Sequence, residues 1–462
     1  MHIILRSLLL LLIFFGVSTV NGTDLEEVYQ VALVSDPALR EANANRMASA
    51  EASPQARAAL LPLITGFYSR GNGDSSGSNT FQQEVPPGSG NIQTVSSTFR
   101  THVQDDTQWR LQVQQSVFRW DRIVGLKQAQ KQVAQAEVDY QAAEQDLMVR
   151  VAEAYFNVLA AKDTLDAEVA NKDATKRQLE QAEKRFEVGL IAITDVLEAQ
   201  AAYDLSLATD IGARRFLSTA KESLREITGR YIDELKRPGN DLPLVNPDPA
   251  NADEWVTQSL KNNLALNSTR LQADIAKDQV RINRSGHLPT IDFFASRTGF
   301  DRDANRSDQG GPFGPADSSN NSTNYSLQLN IPIYSGGNTS SIVRQSVYRH
   351  RAARERVERV ARETERSTRD AYDAVVSQIA RVRALRRAVE SNEKALQASE
   401  AGFEVGTRTT VDVLDARQGL FRARTSYART RYDYIVNVLR LKQAAGSLSD
   451  QDIAEVNSWL AR

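Results

Sequence analysis

The chain has 462 residues, and its 56 Lys and Arg nearly balance its 58 Asp and Glu, so a net charge of −2 gives no global pull toward nucleic acid. It has no cysteine, which excludes a disulfide framework, a thiolate metal site and a lipid-bearing cysteine. Its four histidines, His2, His102, His287 and His350, are scattered and lack paired carboxylates around them, so no catalytic site, metal or cofactor is expected.

In chain order, residues 1–22 read as a secretory signal: Arg6 supplies positive charge, residues 8–15 are apolar, and Val20 and Gly22 are small. That run is too short to cross a membrane as a helix, and no later segment approaches the roughly 20 apolar residues needed. A helix is expected from Pro37 to about residue 60, then a strand over residues 63–70. Residues 71–101, rich in Gly, Ser and Asn, read as a loop. Next, Trp109, Leu111, Val113 and Val117 alternate with Arg110, Gln112, Gln114, Ser116 and Phe118, a period of two that sets an apolar face against a polar one.

No Pro interrupts residues 122–188, so one helix of roughly 100 Å is predicted, at about 1.5 Å per residue. Its seam runs through Ala129, Val133, Ala136, Tyr140, Ala143, Leu147, Val151, Ala154, Val158, Ala161 and Leu165. The steps alternate between three and four with one break of phase, the mark of a coiled coil. The helix stops near Gly189, and a return helix is expected from Thr194 to about residue 228.

Residues 236–251 are Pro, Gly and Asn-rich and read as a connector. Beyond it the pattern recurs. Leu33, Leu61 and Phe67 reappear 227 positions later as Leu260, Leu288 and Phe294; Tyr155, Gly189 and Asp195 reappear 217 positions later as Tyr372, Gly406 and Asp412. The organisation is therefore a first repeat over residues 23–235, the connector, a second repeat over 252–448 and a short C-terminal segment, 449–462. In the second repeat, strands over 290–298 and 325–333 flank a loop over 299–323. The second seam, through Val343, Ser346, Ala353, Val357, Val360, Ala371, Val375 and Val382, is interrupted by His350, Thr364 and Thr368 and is expected to be wetter. Arginines over residues 344–369 are interleaved with Glu355, Glu358, Glu363 and Glu365, which reads as a salt-bridged, solvated helix face.

Alternation alone also fits a small soluble sheet packed on helices. Export, the absence of a helical anchor and strands of about transmembrane length favour a membrane. Four strands cannot close a barrel, and an open edge in lipid leaves backbone groups unpaired. A symmetric oligomer sharing one barrel follows, with twelve strands in a trimer.

The tips of the two hairpins are written alike: FEVGLIAITDVLEA at residues 186–199 recurs as FEVGTRTTVDVLDA at 403–416. Gly189 and Gly406 are placed to end a helix in the left-handed conformation. Asp195 and Asp412 fall in the first turn of the next helix, where capping would account for both. Asp412 and Asp415 share one helix face, so copies around an axis would make an acidic ring that favours cations. Arg408 is the one cation of either tip loop.

GFEVGTRTTVDVLDA at 402–416, VGLIAITD at 188–195, GHLPT at 286–290, YFNV at 155–158 and YDY at 432–434 closely resemble the TolC family of outer-membrane efflux proteins, over essentially the whole chain after the leader. The resemblance implies a mainly α fold with a small β part, in which long antiparallel helical hairpins form a coiled-coil tunnel joined to transmembrane β-hairpins. These hairpins would make a shared 12-stranded barrel in a homotrimer. Implied too are an outer-membrane location with the tunnel in the periplasm, and a non-enzymatic, passive exit duct for drug efflux or type I protein secretion. Its partners would be a periplasmic adaptor (membrane fusion) protein, an inner-membrane pump or ABC secretion transporter and outer-membrane lipid. On this sequence the family pattern sets a periplasmic gate at Thr194, Asp195, Phe403 and Arg408, with Arg408 opposite Thr194 and Asp195. Asp412 and Asp415, on one helix face, are expected to form a lumenal acidic ring, and the tip turns at Gly189, Leu190, Gly406 and Thr407 to dock the adaptor. Phe403 stands where the family has a tyrosine. A reading of another class, a periplasm-spanning coiled-coil structural or adaptor protein without a barrel, fits the periodicity by itself.

Overall fold

The computed structural model describes residues 22–239, 242–308 and 311–460; the expected leader, apart from Gly22, lies outside them. In chain order the elements are α1 (Leu25–Ser35), α2 (Pro37–Ala50), α3 (Ala52–Ala58), β1 (Leu63–Glu84), β2 (Ile92–Phe118), α4 (Trp120–Glu187), α5 (Ile193–Thr228), α6 (Ala252–Asn262), α7 (Leu264–Arg284), β3 (Thr290–Asp308), β4 (Gly314–Pro315), β5 (Ser318–Asn330), α8 (Asn338–Glu404), α9 (Thr410–Ala444) and α10 (Asp450–Ser458). They fall into two compact units. One takes the described residues of Met1–Met47, Ala136–Thr269 and Arg356–Arg462; the other takes Ala48–Gln135 and Arg270–Glu355.

The second of these units holds the sheet. Its long strands lie in the order β1, β2, β3, β5, and the short β4 continues on the β5 side of β3. Every pairing is antiparallel. The expected loops are corrected here. β1 runs on to Glu84 and β2 begins at Ile92, so most of residues 71–101 is paired strand; β3 likewise reaches Asp308 and β5 starts at Ser318. Gly, Ser and Asn obscured these strands because their apolar residues, such as Phe81, Val95 and Phe99, are too sparse to alternate, and only pairing with a neighbour holds the backbone extended.

Directly opposed residues share a face, so register assigns the faces. Ile64, Tyr68, Val113, Leu111 and Trp109 stand with Ile291, Phe293 and Ala295 and with Leu329, Leu327 and Tyr325. The opposite face carries Thr65, Gln114, Gln112, Gln108, Ser296, Thr298, Gln328, Ser326 and Asn324. Over this part of the strands one face is mostly apolar, with Gln115 and Arg297 as exceptions, and the other mostly polar, with Leu63, Phe67, Phe294 and Phe300 among its polar side chains. Gly299 is required beneath Trp109: a Cβ there would sit 2.4 Å from the indole nitrogen and 2.5 Å from Asn321 Oδ1. Among the described residues no strand pairs with the outer edge of β1 or of β5.

The other unit is helical. α4 has 68 residues and α8 has 67, close to the single long helix expected in each repeat, whereas the helix expected from Pro37 is broken into α2 and α3. The seam residues Leu147, Val151, Ala154 and Val158 are buried, with Tyr155, Phe156 and Leu159 beside them. They pack with Leu25 and Val28 of α1, Leu224 of α5, Tyr434, Ile435 and Leu439 of α9 and Ile453 of α10. Tyr155 and Phe156 meet edge to face at 5.3 Å, and Phe156 stacks on Tyr432 at 5.7 Å. Burial raises the Tyr155 and Tyr432 hydroxyls far above their usual range. Both stay neutral and donate, Tyr155 to the Lys236 carbonyl at 2.7 Å and Tyr432 to Asp163 at 2.6 Å. In α8, Thr364 and Thr368 are buried in the seam, where the Thr368 hydroxyl returns to the Thr364 carbonyl at 2.8 Å.

Candidate functional site: the paired hairpin tips

The first tip joins α4 to α5. Gly189 has φ 75°, and the Leu190 N–H bonds the Arg185 carbonyl at 2.9 Å. The second tip joins α8 to α9 by the same turn, with Gly406 at φ 79° and the Thr407 N–H on the Gly402 carbonyl at 2.8 Å. A six-to-one bond of this kind satisfies an orphan carbonyl at the end of a helix, and only a left-handed residue allows it. Leu190, Thr194 and Thr407 are exposed on these turns.

Beyond the turns the tips diverge. In the first, Asp195 accepts from the Ala192 N–H at 3.3 Å, and Ala192 offers no side-chain cap in return. The second has a reciprocal capping box. Asp412 takes the Thr409 N–H at 2.8 Å and its hydroxyl at 2.9 Å, and the Asp412 N–H returns to Thr409 Oγ1 at 3.2 Å. The Thr409 backbone bond, then its hydroxyl and the nearby Arg408 charge, hold the Asp412 carboxyl below the usual range.

Within the chain Arg408 lies 3.6 Å from Asp412, its ion-pair partner, and makes no ion pair with Asp195. It folds back over the end of α8 because residue 402 is glycine: a Cβ there would lie 2.7 Å from Arg408 Cγ. Phe403 sits under the guanidinium of Arg185, 4.8 Å from ring centroid to Cζ, a cation–π contact that ties the end of α8 to the end of α4. Asp415 is exposed and has no ion-pair partner among the described residues; it lines a groove of about 830 Å³ between α5 and α9, with Glu198, Arg417 and Arg422.

Several contributors were given no role by the sequence alone. Gln178 of α4 donates to the Thr410 carbonyl at 3.4 Å and accepts from Arg417 at 3.3 Å, while Arg417 also holds Glu400 at 2.7 Å. Arg185 and Gly402 complete the set. The repeat itself carried a signal for these two: they are equivalent positions 217 apart, arginine in one tip and glycine in the other.

Long helical hairpins with glycine-turned, charged tips, together with a sheet that is mostly apolar on one face, fit the class of membrane channels that span as barrels. Comparisons with known proteins specify which. The model of the outer membrane efflux protein family matches residues 28–230 and 255–447. Outer membrane protein TolC of Escherichia coli is 36% identical over 449 residues, which cover 96% of this chain and 86% of that one. Alkaline protease secretion protein AprF of Pseudomonas aeruginosa is 27% identical over 428 residues, 92% of this chain and 85% of that one. In fold, the CmeC outer membrane channel of Campylobacter jejuni superposes with a TM-score of 0.70 at 16% identity, covering 95% of this chain and 90% of that one.

The chain belongs to the outer membrane efflux protein family. It is an outer-membrane exit channel for efflux and type I secretion, which sets aside the reading as a structural coiled coil without a membrane part.

Proposed function

We propose that three copies share one barrel through the free edges of β1 and β5, and that the paired tips form its closable periplasmic mouth. The observation that carries this is a sheet of four long strands, apolar on one face, whose two outer edges are unpaired. In lipid such edges must be satisfied by another chain, and three times four strands gives a barrel of twelve. The two repeats, residues 23–235 and 252–448 with their connector, then supply equivalent parts of one wall.

The channel does no chemistry of its own; a periplasmic adaptor and an inner-membrane pump or ABC secretion transporter supply the energy. The exposed turns at Gly189, Leu190, Gly406 and Thr407 are the surface offered to them. In the closed mouth Arg408 exchanges its Asp412 partner for Thr194 and Asp195 of a facing tip, with Phe403 held in place by Arg185. Asp412 and Asp415 ring the constriction and select cations. The relatives named for efflux and for protease secretion support two cargo classes, small molecules and polypeptides.

Planar-bilayer recording of the purified protein tests this. Trimers are expected to insert with small, cation-selective conductance, and the double change Asp412→Ala with Asp415→Ala is expected to weaken that selectivity. A stable monomer that never inserts overturns the shared barrel; unchanged selectivity in the double variant removes the acidic ring alone.

A further inference from the structure

The polar face of the sheet carries three phenylalanines. Phe67, Phe294 and Phe300 stand on the same face as the Gln, Ser, Thr and Asn side chains, opposed to Arg110, Gln114 and Gln108 respectively. Phe67 is 56% exposed. The repeat places two of them at equivalent positions, since 67 and 294 differ by the same 227 residues that relate the two halves.

Around Phe67 and Phe300 the sheet is hollowed by about 330 Å³, and the lining includes Arg110, Gln108, Thr298 and Asn320. Arg110 is exposed and has no ion-pair partner among the described residues. Its neighbours on the strands differ. Arg302 is tied to Asp106 at 3.4 Å and Arg70 to Asp105 at 2.7 Å. The hollow therefore presents one uncommitted guanidinium, Arg110, between two phenyl rings, on a wall whose other cation, Arg302, is already paired with Asp106 and whose remaining side chains are neutral.

That combination recognises a particular chemistry. A guanidinium offers a planar fork of donors that matches a carboxylate, sulfonate or phosphate, while phenyl rings take an apolar or aromatic plane and the amide and hydroxyl side chains orient it. We infer that the hollow is a binding subsite for an amphiphilic organic anion, an aromatic or aliphatic body bearing one anionic group. The inference rests on the reading that the polar face lines the bore of a shared barrel. In such a barrel three copies of Arg110 form a basic ring in the membrane part, opposite in sign to the carboxylates of the tips.

The test uses the full-length protein in planar bilayers, with naphthalenesulfonate added on the side of the β-hairpin loops and inorganic sulfate as the control for charge alone. Naphthalenesulfonate is expected to block the current in a concentration-dependent way and sulfate far less. Arg110→Gln is expected to weaken the block by about tenfold or more, Arg110→Lys and Phe67→Ala by several fold. Equal block of the parent and Arg110→Gln channels overturns the subsite and leaves the channel reading intact. Should Arg110→Gln fail to insert, unchanged block in both Arg110→Lys and Phe67→Ala overturns it as well. If the parent chain itself gives no conductance steps, the barrel falls and the subsite with it.

Discussion

Behind the first tip, α4 and α5 are joined by groups withdrawn from water: Lys172 holds the buried Asp210 at 2.7 Å, and the buried hydroxyls of Thr175 and Ser206 meet at 2.8 Å. The equivalent positions behind the second tip are Val389, Tyr427, Asn392 and Ala423. There the ties between α8 and α9 are ion pairs whose carboxylates are the more exposed, Arg417 with Glu400 at 2.7 Å and Arg424 with Glu393 at 2.6 Å. The turns are the same, but what must be broken to separate the helices is not. Parting the first hairpin leaves buried polar groups without partners, which is costly, whereas water readily replaces exposed ion pairs. By these ties the second hairpin is the one expected to part more easily.

Removing the carboxylate of the first hairpin should have the largest effect. Asp210→Ala removes the buried carboxylate shared by Lys172 and Arg214, and amide exchange along α5 is expected to rise by at least about tenfold. Arg424→Ala should barely change exchange along α9. Equal responses of the two helices would erase the contrast.

A middle-sized effect sharpens what the tips share. Gly189→Ala and Gly406→Ala each force a Cβ into the left-handed region, at a cost of about 1 to 2 kcal/mol, and neither glycine has a neighbour within 4 Å that would add a clash. The two losses, read from denaturant midpoints, are expected to match. A difference beyond experimental error would mean that the turns are held by something other than their backbone.

The smallest effect separates the caps. Thr409→Ala removes a capping hydroxyl worth about 1 kcal/mol, and the first tip has no equivalent to lose because Ala192 stands there. Acid should act in the same direction. The Asp412 carboxyl is held below the usual range, so its contribution is complete above the unfolded value of about 3.9 and fades as pH falls through the lower folded value. A spin label at Val405 is expected to gain mobility over that acidic window in the parent protein, and at all pH values in Thr409→Ala. Mobility independent of both would show that the capping box does not hold the tip.

Much of this was legible in the residues, and the misses in the sheet share one cause. Gly189 and Gly406 end helices, Asp195 and Asp412 sit in first turns, and the seam of α4 buries Leu147, Val151, Ala154 and Val158. The turns and caps depend on contacts within a turn or two of the chain, and the seam on a periodicity that the sequence carries although its packing partners are distant. The hairpin extensions over residues 71–84 and 92–101 were read as loop because polar, Gly-rich strands carry no alternation. Their extended form comes from pairs such as Phe81 with Val95 and Thr101 with Arg306.

The amino-acid sequence by itself determined the repeat, the lengths of α4 and α5, the turn at each tip and the family, because helix propensity, capping and glycine conformation act locally. Only the tertiary structure decided that Arg408 meets Asp412, that Arg185 covers Phe403, that Gln178 bridges to Arg417, and that Ile64 and Tyr68 share the apolar face of Trp109. These depend on the packing of helices and the register of strands. A one-residue slip in register would have turned every side chain of β1 to the other face.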